Sequence, residues 1–274
     1  MPGGGFEMFT VFPVLNTPAT GRYVAHDNAP FMLRVMTRRT SEDGLRFSDP
    51  EFIVVPDAHD PWDQQFYYLT QHRFGDFRIG FLGHYRVHGQ TMDIELAYSQ
   101  DGRRWERPMR GAWIPRGPKE ASDSGMVYMP NHLVDRGDHW LALYTGSAGV
   151  HNQPQRGRRG VHAARIARHR FAGLSANASL TARVQTKPFF LGGTEVRLDA
   201  AIEPGGVLRA ELCGALGQPL KGLSFADSIP TEGDSPSHVL RWKPGTLDDY
   251  RFHPVSLRVE WTRGVVYGVD WTLF

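Results

Sequence analysis

Apolar and polar residues alternate in short segments along most of the chain, with turn residues between them. Three segments lie at 66–70, 77–85 and 93–99, and a similar set recurs at 126–128, 139–145 and 160–166. Alternation with a period of two is typical of β-strands that bury one face. No segment shows the apolar spacing of an amphipathic helix of three turns. The pattern therefore predicts an all-β protein.

A turn motif of the form Ser-x-Asp-Gly-x-x-aromatic occurs twice, at 41–47 and at 99–105, so that its copies begin 58 residues apart. Asp63 and Asp123 stand 60 residues apart, in nearly the same frame. Asp-Gly favours a tight turn, because glycine adopts positive φ and aspartate accepts hydrogen bonds from nearby backbone amides. Two independent markers with one period indicate a repeated four-stranded meander, which is the unit of a β-propeller blade.

The pattern divides the chain into three parts. Residues 31–182 are predicted to form propeller blades, and the short alternating strands of residues 183–274, separated by Gly and Pro turns, predict a β-sandwich. Residues 1–30 are an atypical N-terminal segment in which no blade can be recognised. The propeller is therefore expected to be partial or shortened. An incomplete ring exposes a sheet edge, which the N-terminal segment or self-association with a second copy would cover.

Composition excludes several classes of function. The net charge of +2 argues against nucleic-acid binding, and the single cysteine, Cys213, excludes an internal disulfide. No apolar run reaches the ~18 residues of a membrane span, and no His or Cys spacing indicates a metal site, so neither a metal nor a cofactor is expected. Because Met1–Gly5 lack signal-peptide features, we expect a soluble protein, cytoplasmic on the sequence as given and extracellular or periplasmic if an N-terminal signal is missing.

Asp63 and Asp123 are the candidate catalytic residues, because each begins the innermost strand of a blade and paired carboxylates perform acid–base chemistry. The alternative, that each aspartate only caps a turn, is about equally well supported. Asp123 is expected to be partly exposed, unpaired with Arg or Lys, and within about 10 Å of Asp63. Side chains that can contact a substrate near these aspartates are amides that bond hydroxyls, aromatic rings that stack on a sugar, and histidines at the pocket rim. The candidate substrate-binding residues are Gln64, Gln65, Trp62, Tyr85, His84 and His151. The alternative is that the aromatic residues pack in the core and the histidines lie on the plain surface.

The runs Asp60-x-x-Asp63-x-Gln65-Phe66-Tyr67, Gly80-Phe81-Leu82-x-x-Tyr85 and Ala97-Tyr98-Ser99-x-Asp101-Gly102-x-x-Trp105 resemble proteins described as similar to family 32 glycoside hydrolases. The resemblance covers residues 34–274, and those proteins belong to a five-bladed propeller group with families 43, 62 and 68. It implies a pocket with a carboxylate nucleophile or base, a second Asp and a Glu acid from successive blades. Asp63 and Asp123 match strand-entry positions, but the Trp-Met-Asn-Asp-Pro-type and Glu-Cys motifs of the group are absent.

The leading hypothesis is therefore a glycoside hydrolase-like protein that acts on a furanoside, such as a fructoside or an arabinoside, through paired carboxylates. A non-catalytic carbohydrate-binding protein is the alternative from another class, because aromatic platforms and Asp or Gln contacts need no nucleophile. A truncated, inactive fragment of such a hydrolase is a third. In the first two cases the expected partner is a carbohydrate.

Overall fold

The structure, a computed structural model, describes residues 4–15, 32–128, 132–153 and 157–270. Eighteen β-strands and no α-helix lie within these residues, and a short 3-10 helix spans Asp248–Tyr250. The predicted all-β class is confirmed. The chain divides into two compact units, Met1–Ile166 and Ala167–Phe274.

The strands of the first unit are β1 (Phe6–Leu15), β2 (Met32–Ser41), β3 (Glu51–Val54), β4 (Gln64–Phe74), β5 (Phe77–Arg86), β6 (Thr91–Ser99), β7 (Met126–Tyr128), β8 (Leu133–Asp135), β9 (His139–Ser147) and β10 (Arg159–Ala167). Those of the second are β11 (Leu174–Ala176), β12 (Ala182–Gln185), β13 (Phe189–Phe190), β14 (Arg197–Ile202), β15 (Leu208–Gly214), β16 (Gly233–Val239), β17 (Pro254–Trp261) and β18 (Gly264–Asp270).

The first unit contains blade-like meanders. Strands β4, β5 and β6 pair antiparallel in sequence, and a bridge from Tyr98 to Glu106 adds a short fourth strand. Strands β7 and β8 both pair with β9, and β10 lies at the edge beside β9. A single parallel pair, Met92 with Met126, joins the two meanders into one sheet of seven strands. Strands β1, β2 and β3 form a separate sheet.

The two copies of the turn motif have the same hydrogen bonds. The amide of Gly44 donates to Ser41 Oγ at 2.8 Å, and the amide of Gly102 donates to Ser99 Oγ at the same distance. Both glycines have positive φ, 75° and 76°, which side chains rarely tolerate. In each copy the aspartate accepts the two amides that follow the glycine. The sequence repeat is therefore a structural repeat.

The N-terminal segment differs from the prediction. Residues 6–15 form β1, which pairs with β2 along its whole length; residues 1–3 and 16–31 of the segment lie outside the described residues. Apolar residues lie on both faces of β1, and Phe6, Val11 and Leu15 are exposed, so the apolar alternation that reveals a strand is weak. Glu7 anchors β1 with a buried carboxylate that accepts hydrogen bonds from Arg38 and Arg78, each at 2.7 Å.

We expect Glu7→Gln to lower the free energy of unfolding by about 2 kcal/mol, because two nearly buried guanidinium groups lose a charged acceptor. Burial would raise the pKa of Glu7, but the hydrogen bonds from Arg78 and Arg38 hold it below its usual value. Urea denaturation at neutral pH measures the change. Glu42→Gln, the same substitution at an exposed position, is the control; an equal loss in both variants would contradict the assignment.

The second unit has two four-stranded sheets, β11-β18-β14-β16 and a sheet in which β12, β13 and β15 pair with β17. They contribute to one apolar core that includes Leu198, Leu212, Leu257 and Trp261, as a sandwich requires. The sequence placed the boundary at residues 182–183, whereas the contacts divide the chain after Ile166. The short strand β11 pairs with β18, and three residues are too few to show an alternation.

Candidate functional site

Asp63 lies immediately before β4 and is buried, with 2% of its surface exposed. Arg86 Nε donates to its Oδ1 at 2.7 Å, and the amide of His88 donates to its Oδ2 at 3.1 Å. The amide of Val87 donates to its backbone carbonyl. The residues from the end of β5 therefore hold this carboxylate in one orientation and balance its charge.

Trp62 is the most accessible of the candidate residues beside Asp63. Its side chain is 55% exposed, and its ring centroid lies 6.0 Å from that of His88. The exposed indole offers a flat apolar surface on which the apolar face of a sugar ring can stack. The Asp63 carboxylate beside it is buried, and both of its oxygens accept hydrogen bonds from the protein.

Gln64 and Gln65 are fully buried. Gln65 Oε1 accepts from the backbone amide and guanidinium of Arg34 at 3.2 and 2.9 Å, and its Nε2 donates to Met32 O at 3.1 Å. Gln64 Nε2 donates to the carbonyl of Gln65 at 2.7 Å. The Gln65 amide is occupied within the protein on both its oxygen and its nitrogen. The prediction that it contacts substrate hydroxyls does not fit these contacts.

Tyr85 and His151 meet in an aromatic cluster. The hydroxyl of Tyr67 lies 2.7 Å from His151 Nε2, and the ring centroid of Tyr85 lies 5.1 Å from that of His151. Tyr85 is fully buried, so it packs in the core instead of offering a stacking surface. His151 is half-buried in the loop after β9, where its amide donates to Gln90 O. Of the two, His151 alone reaches the surface.

His84 lies in the middle of the sheet, opposite Phe66 on β4 and Asp93 on β6. It is 7% exposed, and its Nδ1 has no hydrogen-bond partner among the described residues. Burial lowers its pKa to about 4, against the raising effect of Asp93. The ring is therefore neutral at physiological pH and sits in the interior, not at the rim where the sequence placed it.

Asp123 belongs to a cluster between the loop before β7 and the strands β9 and β10. Its Oδ2 accepts a hydrogen bond from the Tyr144 hydroxyl at 3.1 Å and lies 3.9 Å from His162 Nδ1. Ser122 Oγ lies 3.1 Å from His162 Nε2, and the Tyr144 and His162 rings are stacked with centroids 5.1 Å apart. Burial and the hydrogen bond to Asp123 raise the pKa of Tyr144.

The cluster corrects one expectation about Asp123 and agrees with another. The residue is 6% exposed, so it is buried instead of partly exposed. His162 lies 3.9 Å from its Oδ2, and no ion pair with Arg or Lys joins it within the described residues. Sequence reasoning missed Tyr144 and His162, because only the pairing of β9 with β10 brings them to the loop of Asp123. The available signal was that Tyr144 lies two residues from Gly146 and His162 two residues from Gly160, so each side chain shares a strand face with a glycine.

The sheet register sets the spacing of the two candidate aspartates. Gln65, Tyr85, Met92 and Met126 are successive partners across β4, β5, β6 and β7. Three strand spacings amount to about 14 Å between the backbones at this end of the sheet. The backbones therefore stand further apart than the separation of about 10 Å that the sequence predicts for the two carboxylates. Asp63 and Asp123 also have different hydrogen-bond partners.

A buried ion network, also missed, lies on the face of β4–β6 that carries His84. Arg107 donates to Asp60 Oδ1 at 2.6 Å and to Glu95 Oε1 at 2.7 Å, and its guanidinium covers the Phe66 ring at 4.5 Å. Burial raises the pKa of Glu95 despite the hydrogen bond from Arg107. Burial would also raise the pKa of Asp60, but Arg107 and the Asp57 amide hold it below its usual value.

Replacing Gly146 with alanine is expected to displace Asp123, because the new Cβ would overlap the Asp123 Cβ and come within 2.8 Å of its Cα. We expect a loss of about 1–3 kcal/mol in the free energy of unfolding. Gly268→Ala is the matched control, since a Cβ on that strand glycine meets nothing within 4 Å. Chemical denaturation of both variants checks this, and equal stability would show that Asp123 can shift freely.

Within the described residues, no group of three or more His, Cys, Asp or Glu is arranged to hold a metal ion. None of the helices in that part of the chain has the length and apolar character needed to cross a membrane.

Comparison with known proteins gives similarity at the level of fold. No family model matches the chain, and no curated protein matches it. Among solved structures, a family 117 glycoside hydrolase of Zobellia galactanivorans is 14% identical, with 94% of this chain and 81% of that chain covered and a TM-score of 0.44. The GH32 β-fructofuranosidase BmSUC1 of Bombyx mori is 10% identical, with 98% and 78% covered and a TM-score of 0.39.

An N-acetylgalactosamine deacetylase from F. plautii is 14% identical, and the match covers 55% of this chain but only 44% of that chain, with a TM-score of 0.39. The chain thus spans less than half of the length of that protein. At these identities and TM-scores the similarity concerns the fold alone. A family 32 glycoside hydrolase, from the group that the sequence motifs resemble, is among these matches.

Proposed function

We propose that this protein is a glycoside hydrolase-like protein that acts on a furanoside, such as a fructoside or an arabinoside, with Asp63 and Asp123 as its carboxylates. The observation that carries the proposal is the setting of Asp123. This buried carboxylate lies within 4 Å of two groups that can exchange protons, the Tyr144 hydroxyl at 3.1 Å and His162 Nδ1 at 3.9 Å. Such a setting suits a group that gives or takes a proton during glycosidic bond cleavage.

In this proposal the two aspartates have different tasks. Asp123 exchanges a proton, either with the leaving oxygen or with the attacking water. Asp63, whose orientation Arg86 and His88 hold, stabilises the positive charge that develops on the sugar ring in the transition state. Retaining enzymes hold their carboxyl groups at about 5 Å and inverting ones at about 6.5–9.5 Å, so a backbone spacing of about 14 Å requires the two side chains to converge before either mechanism can operate.

Asp63→Asn and Asp123→Asn are each expected to reduce kcat at least ~100-fold on aryl furanosides, since positioned acid–base groups contribute roughly 10²–10⁴. A panel of aryl fructofuranosides and arabinofuranosides, followed by chromophore release, measures this. Asp138→Asn makes the same change at a side chain that is 71% exposed and is expected to leave turnover unchanged. Unchanged turnover in both site variants would remove these residues from the mechanism.

A non-catalytic carbohydrate-binding protein is the second candidate, and the contacts of Asp63 favour it. Both of its oxygens accept hydrogen bonds from the protein, while the neighbouring Trp62 is exposed. Binding on a glycan array without release of reducing sugar would support this candidate over the hydrolase. Trp62→Ala should then weaken sugar binding about tenfold, by loss of a stacking contact worth about 0.5–1.5 kcal/mol.

Two further parts of the proposal concern assembly and location. Strand β10 forms an edge of the seven-stranded sheet among the described strands, and an edge strand is a surface on which a second copy can pair. Sedimentation of the purified protein measures self-association. The proposed location is that of a soluble protein, either cytoplasmic or exported, since a carbohydrate substrate can be met in either place.

A further inference from the structure

Ser122, His162 and Asp123 form a continuous chain of side-chain contacts. The imidazole of His162 lies between the serine hydroxyl, 3.1 Å from Nε2, and the aspartate, 3.9 Å from Nδ1. An imidazole placed between a hydroxyl and a carboxylate is the arrangement that activates serine for nucleophilic attack. The proposed glycoside mechanism uses Asp123 but has no task for Ser122.

Tyr144 holds the other two members of the cluster in place. Its ring lies almost parallel to that of His162, at an angle of 14°, and its hydroxyl donates to the same Asp123 oxygen that faces His162. A carboxylate beside Nδ1 favours the tautomer with the proton on Nδ1, which leaves Nε2 free to accept the serine proton. The distance of 3.9 Å is longer than a hydrogen bond, and such catalytic contacts commonly tighten when a ligand binds.

Ser122 and His162 are both partly exposed. Ser122 is half-buried, and the His162 side chain is 26% exposed. On the facing strand a Cβ at Gly160 would come within 2.9 Å of Ser122 Oγ and 3.0 Å of His162 Nε2. Because glycine has no such atom, the strand can lie this close to the serine and the histidine without a clash. Close by in the same loop, Glu120 has a φ of 77°, a strained conformation of the kind that is concentrated at functional sites.

We propose that Ser122 is a nucleophile, with His162 as its general base, that hydrolyses carboxylic esters. Ser122 Oγ bonds to the carbonyl carbon while its proton passes to His162 Nε2. The bond from that carbon to the alcohol oxygen then breaks, and the alcohol leaves with the proton. Water attacks the acyl-serine, gives a proton to His162, and the acid departs as the proton returns to Ser122. Esters are the expected substrates, because an alcohol is a better leaving group than the amine of an amide.

A fluorophosphonate probe tests this assignment directly, because an activated serine displaces fluoride and keeps the phosphonyl group. Peptide mass spectrometry of the labelled full chain is expected to place the adduct on Ser122. Ser122→Ala should abolish labelling, and His162→Gln should slow it at least ~100-fold. Ser124→Ala is the matched control, since that hydroxyl donates to the Ala121 carbonyl and labelling should continue.

Hydrolysis of p-nitrophenyl acetate by the same variants supplies a second readout and should follow the same order. An adduct on another residue, or labelling of Ser122→Ala at the wild-type rate, would overturn the assignment. Should His162→Gln fail to fold, Ser122→Ala decides alone, because it removes a single half-buried oxygen. Furanoside turnover separates the two proposals, because Ser122→Ala should retain it. A wild-type protein that is labelled on Ser122 but cleaves no furanoside would contradict the glycoside hydrolase proposal and leave the esterase proposal standing.

Discussion

Replacing Arg107 with methionine is expected to lower the free energy of unfolding by about 3–5 kcal/mol, the usual cost of leaving buried charges without their partner. The Asp60 and Glu95 side chains are 1% and 0% exposed, and Arg107 donates to both. Asp60 would retain a contact of 3.4 Å with Arg110 and the hydrogen bond from the Asp57 amide. Methionine keeps an apolar side chain against Phe66, so the loss in the free energy of unfolding measures the effect of leaving the two carboxylates unpaired. Urea denaturation at neutral pH measures it.

Arg103→Met is the matched control, because Arg103 pairs with Glu51 at a position where the arginine side chain is 60% exposed. Exposed ion pairs contribute about 0–1 kcal/mol, so this variant should remain close to wild type. Adding Asp60→Asn and Glu95→Gln to Arg107→Met should recover part of the loss by removing the unpaired charges. A loss below about 1 kcal/mol in Arg107→Met would mean that solvent reaches the network.

Stability is expected to decline by about 3 kcal/mol between pH 6.5 and pH 4 through His84 alone. Burial lowers the pKa of this histidine from 6.5 to about 4. Between pH 6.5 and pH 4, His84 is protonated in the unfolded chain but neutral in the folded chain. Acid therefore favours unfolding over this interval. The contribution is fully present above pH 6.5 and is lost as the pH falls. Urea denaturation at pH 7, 5.5 and 4 measures it.

His84→Gln should remove this part of the pH dependence, so the difference between wild type and variant should narrow or reverse on acidification. His59→Gln serves as the control, since its ring is exposed and the slope of stability against pH should stay at the wild-type value. Parallel curves for wild type and His84→Gln would show that the histidine accepts a proton in the folded state, contrary to its burial.

Local features were predictable from the sequence. The Ser-x-Asp-Gly turns form with the same hydrogen bonds in both copies, because the serine, the aspartate and the glycine are neighbours and need no distant partner. The meander of β4, β5 and β6 was predictable for a similar reason, since each strand pairs with the next. The full length of strand β1 was not, because apolar residues on both of its faces weaken the alternation from which strands are recognised.

The amino-acid sequence by itself determined the all-β class, the repeated turns and the positions of Asp63 and Asp123 shortly before β4 and β7. Only the tertiary structure decided what those aspartates contact. Asp63 meets Arg86 across the β4–β5 pair, and Asp123 meets His162, 39 positions later, because β10 pairs beside β9. Arg107 and Asp60, 47 residues apart, meet within the first unit. Strand register and packing determine which distant residues come into contact. Such contacts cannot be read from the sequence, because they produce no periodic pattern of apolar and polar residues around either partner.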